Sequence, residues 1–308
     1  MSRLKRKAPR ERLLRRVRRQ RLRYITVLPS LITVINGVCG FTAIVFASEG
    51  AKAGIGKLSY FVIASYLVLL AMIADMLDGR LARISQNTSS FGGQLDSLCD
   101  TISFGVAPAF LMLKVLEYKL AGVAGLNPTT GSFLQRFIWL TAAAYITCAT
   151  IRLARFNVEN EEDESAHMSF VGLPSPAAAG VLVSLVIFHQ QTLPELLAES
   201  TRLYYICENA IIYALPFLTL GTAILMVSRI PYPHVLNQYL KGKKPFAHLI
   251  WALLLLALIV WSRLAALVLV FCGFAASSFL KWLYYRVIRS KKLVGAGEQP
   301  ALLDSSEA

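Results

Sequence analysis

Charge is scarce in this 308-residue chain: 16% of its residues are Asp, Glu, Lys or Arg, where a soluble domain carries about a quarter. Acids are scarcer still, 18 against 32 bases. With 56% hydrophobic residues and a mean hydropathy of +0.54, that balance excludes an ordinary water-soluble fold. Paired cysteines are absent too. Cys39, Cys99, Cys148, Cys207 and Cys272 are scattered and odd in number, which excludes a disulfide framework or a zinc knuckle and leaves buried reduced thiols. His167, His189, His234 and His248 stand alone and take no assigned role. No loop is long enough to bury a core of its own, so no separate soluble domain is expected.

Long apolar runs are what the chain has in place of these. A bilayer-spanning helix needs roughly 20 apolar residues. The runs predict about eight spans, at 25–48, 58–80, 95–117, 134–155, 170–191, 207–228, 246–261 and 264–286. The expected fold is therefore all-α, a polytopic membrane helix bundle. Ser262 and Arg263 break the last long run into two helices joined by a tight turn. Four regions follow: a basic arm at 1–23, a transmembrane body at 24–230, a loop with two additional helices at 231–287, and a polar, disordered tail at 288–308.

The distribution of charge orients the bundle. The arm holds twelve Lys or Arg between Arg3 and Arg23 against one acid, Glu11. The run from Ile25 to Ala47 is long enough to be retained as a span rather than cleaved as a leader. Such an arm either binds anionic headgroups or serves only to fix topology. With the N-terminus inside, 24 of the 32 basic residues fall in cytoplasmic segments. An even number of spans returns the C-terminus to the cytoplasm. The acidic stretch Glu159–Glu164 reads as a solvated linker on that side. The net charge of +14 sits at the ends of apolar segments, so no nucleic-acid partner is expected.

Four carboxylates stand where a membrane should not have them. The second run ends in Asp75-Met76-Leu77-Asp78-Gly79-Arg80-Leu81-Ala82-Arg83, and the third opens with Gly92-Gly93-Gln94-Leu95-Asp96-Ser97-Leu98-Cys99-Asp100. Ionisable groups at membrane depth mark functional cavities. Asp75 and Asp78 are three apart on one helix, Asp96 and Asp100 four apart on the next, so each pair shares a face. If the two helices are neighbours, all four acids converge at the cytoplasmic end. Arg80 and Arg83 could neutralise only half of them, which argues against plain ion pairing. Oxygen-only ligands suit Mg²⁺, Mn²⁺ or Ca²⁺ rather than zinc. Two such ions about 4 Å apart form a known device for phosphoryl chemistry. Gly79 and Ala82 keep one helix face shallow for a ligand, and Arg83 or Arg80 offers a forked donor to phosphate. Gly92 admits either a ligand or a neighbouring helix.

The run Asp75-x-x-Asp78-Gly79-x-x-Ala82-Arg83, eight residues, Gly92, three residues, Asp96, three residues, Asp100 resembles the signature of the CDP-alcohol phosphotransferase family, with eight fixed residues over 26 positions. Further stretches, Leu28–Asn36, Asp96–Pro108, Ala154–Asn157, Val171–Ala177 and Leu225–Ser228, resemble the bacterial branch that uses serine. The resemblance implies a core of six transmembrane helices, commonly dimeric, in the bacterial inner membrane. It implies two divalent cations, Mg²⁺ or Mn²⁺, held by Asp75, Asp78, Asp96 and Asp100, with Asp100 also the general base. It implies CDP-diacylglycerol and L-serine as substrates, the CDP group touching Gly79, Ala82, Arg83 and Ser89. Thr33 and Asn36, one turn apart on the first span, are either further CDP contacts or a helix-to-helix hydrogen bond.

Serine carries a carboxylate that wants a cation. Arg152, Arg155 and Asn157, at the cytoplasmic end of the fourth span, are the candidates; the alternative reading of the arginines is topology alone. Gly172–Pro176 opens the fifth span, its prolines setting the start of the helix. The same chemistry with glycerol 3-phosphate, inositol phosphate or choline as acceptor is the nearest rival. A cation transporter would place its acids near mid-bilayer on broken helices, and these lie at one end.

Overall fold

The computed structural model describes residues 30–52, 54–55, 58–85, 90–124, 128–162, 170–232 and 265–296. The basic arm at 1–23, the expected span at 246–261, Ser89, and the side chains of Ala82 and Arg83 lie outside the described residues, as does the tail from 297. Helices dominate. In chain order they are α1 (Ser30–Ser48), α2 (Tyr60–Ser85), α3 (Ser90–Asp100), α4 (Ala107–Ala124), α5 (Pro128–Glu162), α6 (Ser175–Ile187), α7 (Leu193–Leu196), α8 (Thr201–Val227) and α9 (Ala265–Ala296). A π-helical segment, Thr101–Val106, joins α3 to α4, and a second, Phe188–Thr192, joins α6 to α7. β1 (Phe170–Val171) and β2 (Pro231–Tyr232) pair antiparallel, two residues each.

Among the described residues seven helical units are long and apolar enough to cross a membrane, which makes the chain the polytopic helical bundle that its apolar runs predict. Several boundaries differ from expectation: the span expected from 170 starts as helix only at Ser175, after β1, and the one expected from 207 starts at Thr201. Helix α5 runs on to Glu162, so the acidic stretch expected as a linker begins as helix. Helix α9 reaches Ala296, so residues 288–296 of the expected disordered tail are helical. Neither stretch holds a proline or an internal glycine pair that would stop a helix already nucleated in the membrane.

Helix α6 is the axis of the bundle. Ala178 through Ile187 are all buried, as expected for a helix apolar on every side. It packs against α2, α4, α8 and α9, while α5 lies along α4 and α8. Phe61, Phe104, Met112, Tyr145 and Leu182 fill the space between. The outer surface is the reverse of a soluble protein's: Leu31, Phe41, Ile73, Leu140 and Phe217 are all exposed, as lipid-facing side chains are.

Polar contacts define the two ends. At one, α5, α6 and α8 meet: Arg155 Nη1 donates to the Val227 carbonyl at 3.3 Å, and the Gly172 N–H donates to the Ile230 carbonyl at 2.9 Å. At the other, Lys119 at the end of α4 pairs with Glu208 near the start of α8 at 2.7 Å. His189 Nε2 lies 3.6 Å from the same carboxylate, and Tyr66 donates to Gln191 at 2.9 Å. Between them, α1 lies against the α3 segment with almost no gap. A Cβ on Gly40 would sit 2.4 Å from Ser103 Oγ, so the glycine is what admits the approach.

Gly172 adopts φ +90°, and a Cβ there would meet the Met226 carbonyl at 2.3 Å. Gly172→Ala is thus expected to lose about 2 kcal/mol or more, through strain and a forced shift of α8. Gly221, on the same helix but facing open space, is the control: Gly221→Ala should melt at the wild-type temperature or above it. Thermal unfolding in detergent reads both, and equal melting points would contradict the assignment.

Candidate active site

The four aspartates lie at the end defined by Arg155 and Gly172. Helix α2 carries Asp75 and Asp78 one turn apart, and α3 carries Asp96 and Asp100. One carboxylate oxygen from each of Asp75, Asp78 and Asp96 lies within 4.8 Å of the others. Asp100 stands outside this group of three. Asp78 is 4% exposed and Asp100 7%, whereas Asp75 and Asp96 are half-buried.

Protein groups satisfy these acids only in part. The Thr33 hydroxyl and the Gly79 backbone N–H lie beside Asp78 and favour its charged form. Asp100 Oδ1 accepts from Asn36 Nδ2 at 2.8 Å. Arg152, 7% exposed, brings its charge to bear on Asp75 and donates to Ser175 Oγ at 3.1 Å. Asp78 Oδ2 and Asp96 Oδ1 are buried and accept no hydrogen bond from the described residues. A buried acceptor left open costs about 1–3 kcal/mol, more when charged. Carboxylates within 4.8 Å of one another repel by about 3 kcal/mol or more per pair at an effective dielectric near 20. Among the described residues, Arg152 alone does not offset three such pairs. The open oxygens and the all-oxygen donor set fit a divalent cation, with Asp75, Asp78 and Asp96 as its ligands.

The remaining expected residues divide by position. Thr33 and Asn36 do come to this end, turned toward Asp78 and Asp100. Gly79 is exposed, with nothing within 4 Å of where its Cβ would be, so its face is open to a ligand. Asn157 is tied to α3 by two hydrogen bonds with Ser97, Nδ2 donating to Oγ at 2.8 Å and the hydroxyl donating back to Oδ1 at 3.1 Å. Arg155 is held by the Val227 carbonyl. Sequence reading assigned no role to Ser97, Ser103 or Ser175, which lock the site's walls together. Their hydroxyls sit on apolar helices, where interhelical bonding is the ordinary use, and that was the available signal.

The fold and site define a class, a polytopic membrane protein with a cluster of acids at one end of its bundle that could hold a divalent cation. Comparison with known proteins narrows this. The model of the CDP-alcohol phosphatidyltransferase family matches residues 26–228, two thirds of the chain and all four aspartates, and the chain belongs to that family. It is a phospholipid-biosynthetic transferase of that kind. The CDP-diacylglycerol–serine O-phosphatidyltransferase of Helicobacter pylori is 31% identical over 262 residues, 85% of this chain and 93% of its own. The enzyme of the same name from Mycobacterium bovis is 32% identical over 213 residues, 67% of this chain and 61% of its own. The Saccharomyces cerevisiae one is 34% identical over 159 residues, 50% of this chain and 51% of its own.

Mn²⁺ titration followed by electron paramagnetic resonance tests the cation centre without any turnover. Asp78→Asn or Asp96→Asn is expected to weaken Mn²⁺ binding roughly tenfold or more, since each removes a charged ligand. Glu208→Gln, at the far end, should leave it unchanged. Equal binding in all three would remove the aspartates from the ligand set.

Proposed function

We propose that the protein transfers the phosphatidyl group of CDP-diacylglycerol to the hydroxyl of L-serine, giving phosphatidylserine and CMP. The observation that carries this reading is the convergence of Asp75, Asp78 and Asp96, two of them with open buried oxygens, in a chain whose relatives are named for that reaction. In the same reading these three acids would hold two cations, Mg²⁺ or Mn²⁺, and Asp100 would contribute to one. When bound, they neutralise charge on the diphosphate as it is displaced.

The protein's own groups do the rest. Gly79, on an open face, lets the diphosphate approach the α2 backbone, with Ala82, Arg83 and Ser89 continuing that contact. Asp100 takes the proton from the serine hydroxyl as the oxygen attacks phosphorus. The phosphorus–oxygen bond to CMP breaks, and CMP leaves with the electron pair. Arg152, Arg155 and Asn157, already grouped on α5, offer the cationic surface for the serine carboxylate. The basic segments flanking the spans support a cytoplasmic placement of this end, in a bacterial inner membrane, with the chain acting as a homodimer.

CMP release by purified protein in detergent, with CDP-diacylglycerol and Mn²⁺, tests the reaction. Serine should support release, and glycerol 3-phosphate, inositol phosphate and choline should not. Asp100→Asn should lower the serine-dependent rate by roughly 10²–10⁴-fold, the range for a lost general base. Release with another acceptor would reassign the substrate, and a fully active Asp100→Asn would remove the base.

A further inference from the structure

The contact between Asn36 and Asp100 bridges helices that are 64 residues apart in sequence. Asn36 is fully buried, 0% exposed. A carboxylate only accepts hydrogen bonds, so the group facing it must be the amide nitrogen. That leaves Asn36 Oδ1 buried and, among the described residues, without a hydrogen-bond donor. A side chain kept only to fill space between helices would do better as leucine, which has no buried acceptor to leave open. This amide is therefore retained for its donor end.

Its backbone is fixed to match. Ser103 Oγ donates to the Asn36 carbonyl at 2.8 Å. A Cβ on the adjacent Gly37 would lie 2.9 Å from Cys99 Sγ, so α1 is held hard against α3 on both sides of Asp100.

We propose that Asn36 is the positioning residue of the base. By engaging Oδ1 of Asp100 it turns Oδ2 toward the acceptor, and Oδ2 is the atom that takes the hydroxyl proton. This inference rests on the transfer reaction proposed above, and it goes beyond both sequence readings of Asn36, a CDP contact or a helix-to-helix hydrogen bond. Asn36 itself touches no reacting atom; it acts through Asp100.

The test uses the full-length protein in detergent with CDP-diacylglycerol, serine and Mn²⁺. Asn36→Leu should lower kcat about a hundredfold, the effect of a misplaced catalytic group. KM for CDP-diacylglycerol should stay within about threefold of wild type, because no substrate contact is lost. Added to Asp100→Asn, the same change should alter the residual rate by less than about threefold, since a group acting through the base has nothing further to remove. A purely structural role would instead multiply the two losses. A raised KM for the lipid with kcat intact would overturn the proposal in favour of a nucleotide contact, and so would multiplying losses or a wild-type kcat. Should Asn36→Leu not be recovered as a monodisperse protein, Asn36→Ala carries the same readings. A wild-type protein without serine-dependent release would instead overturn the reaction itself, and is seen before any variant is made.

Discussion

Repulsion among carboxylates in a low-dielectric bundle is the constraint on which the rest of this structure depends. Three acids whose oxygens lie within 4.8 Å of one another store on the order of 10 kcal/mol if all are ionised and nothing intervenes. That is comparable to the whole net stability of a domain. The protein tolerates this by spreading relief over several helices. Thr33 serves Asp78, Asn36 serves Asp100 and Arg152 serves Asp75. No single partner is enough, and the oxygens still open are the ones a cation would take. Assembly of the site and stability of this end are thus one problem: a substitution that relieves the repulsion also dismantles the chemistry.

Short side chains can meet those acids only if backbones come close, which explains the glycines of α1. Asn and Thr reach only a few ångströms from their own helix axis. Gly37 and Gly40 remove the side chains that would hold α1 away from Cys99 and Ser103. The far end supplies the opposing clamp, where Glu208 gathers Lys119 and His189 from two other helices and Tyr66 reaches Gln191. Polar contacts at both ends and an apolar α6 between them make a bundle that is fixed where chemistry requires it, with lipid as the solvent around its middle.

The acids themselves were plain in the sequence because cost makes them conspicuous: an aspartate inside an apolar run needs a reason, and intervals of three and four residues put each pair on one face. The bundle was equally plain from run length. What escaped were contacts set by distant partners. Thr101–Val106 reads as ordinary helix, yet it widens into a π segment directly after Asp100, and Tyr145 donates to the Phe104 carbonyl within it at 3.2 Å. Nothing local in Thr-Ile-Ser-Phe-Gly-Val announces that; the segment packs against α5 and, through Ser103, against Gly40 of α1. Asn36 was visible only as a polar residue on a span, with its alternatives open, because the residue it serves lies two helices later. The limits of α5 and α9 were misplaced for a simpler reason, since composition marks where a chain leaves lipid and not where its helix stops.

Charge at the site also bears on which acceptor the proposed reaction would take. A phosphorylated acceptor brings about two further negative charges to a place already crowded with carboxylates and a diphosphate, and it needs cations beyond those the acids occupy. Among the described residues on this wall, Arg152 already faces Asp75, and Arg155 is committed in part to the Val227 carbonyl. A zwitterion adds no net charge. Its carboxylate needs one guanidinium, and its ammonium is itself attracted to an acidic site. The electrostatic supply of α5 therefore matches serine better than glycerol 3-phosphate or inositol phosphate.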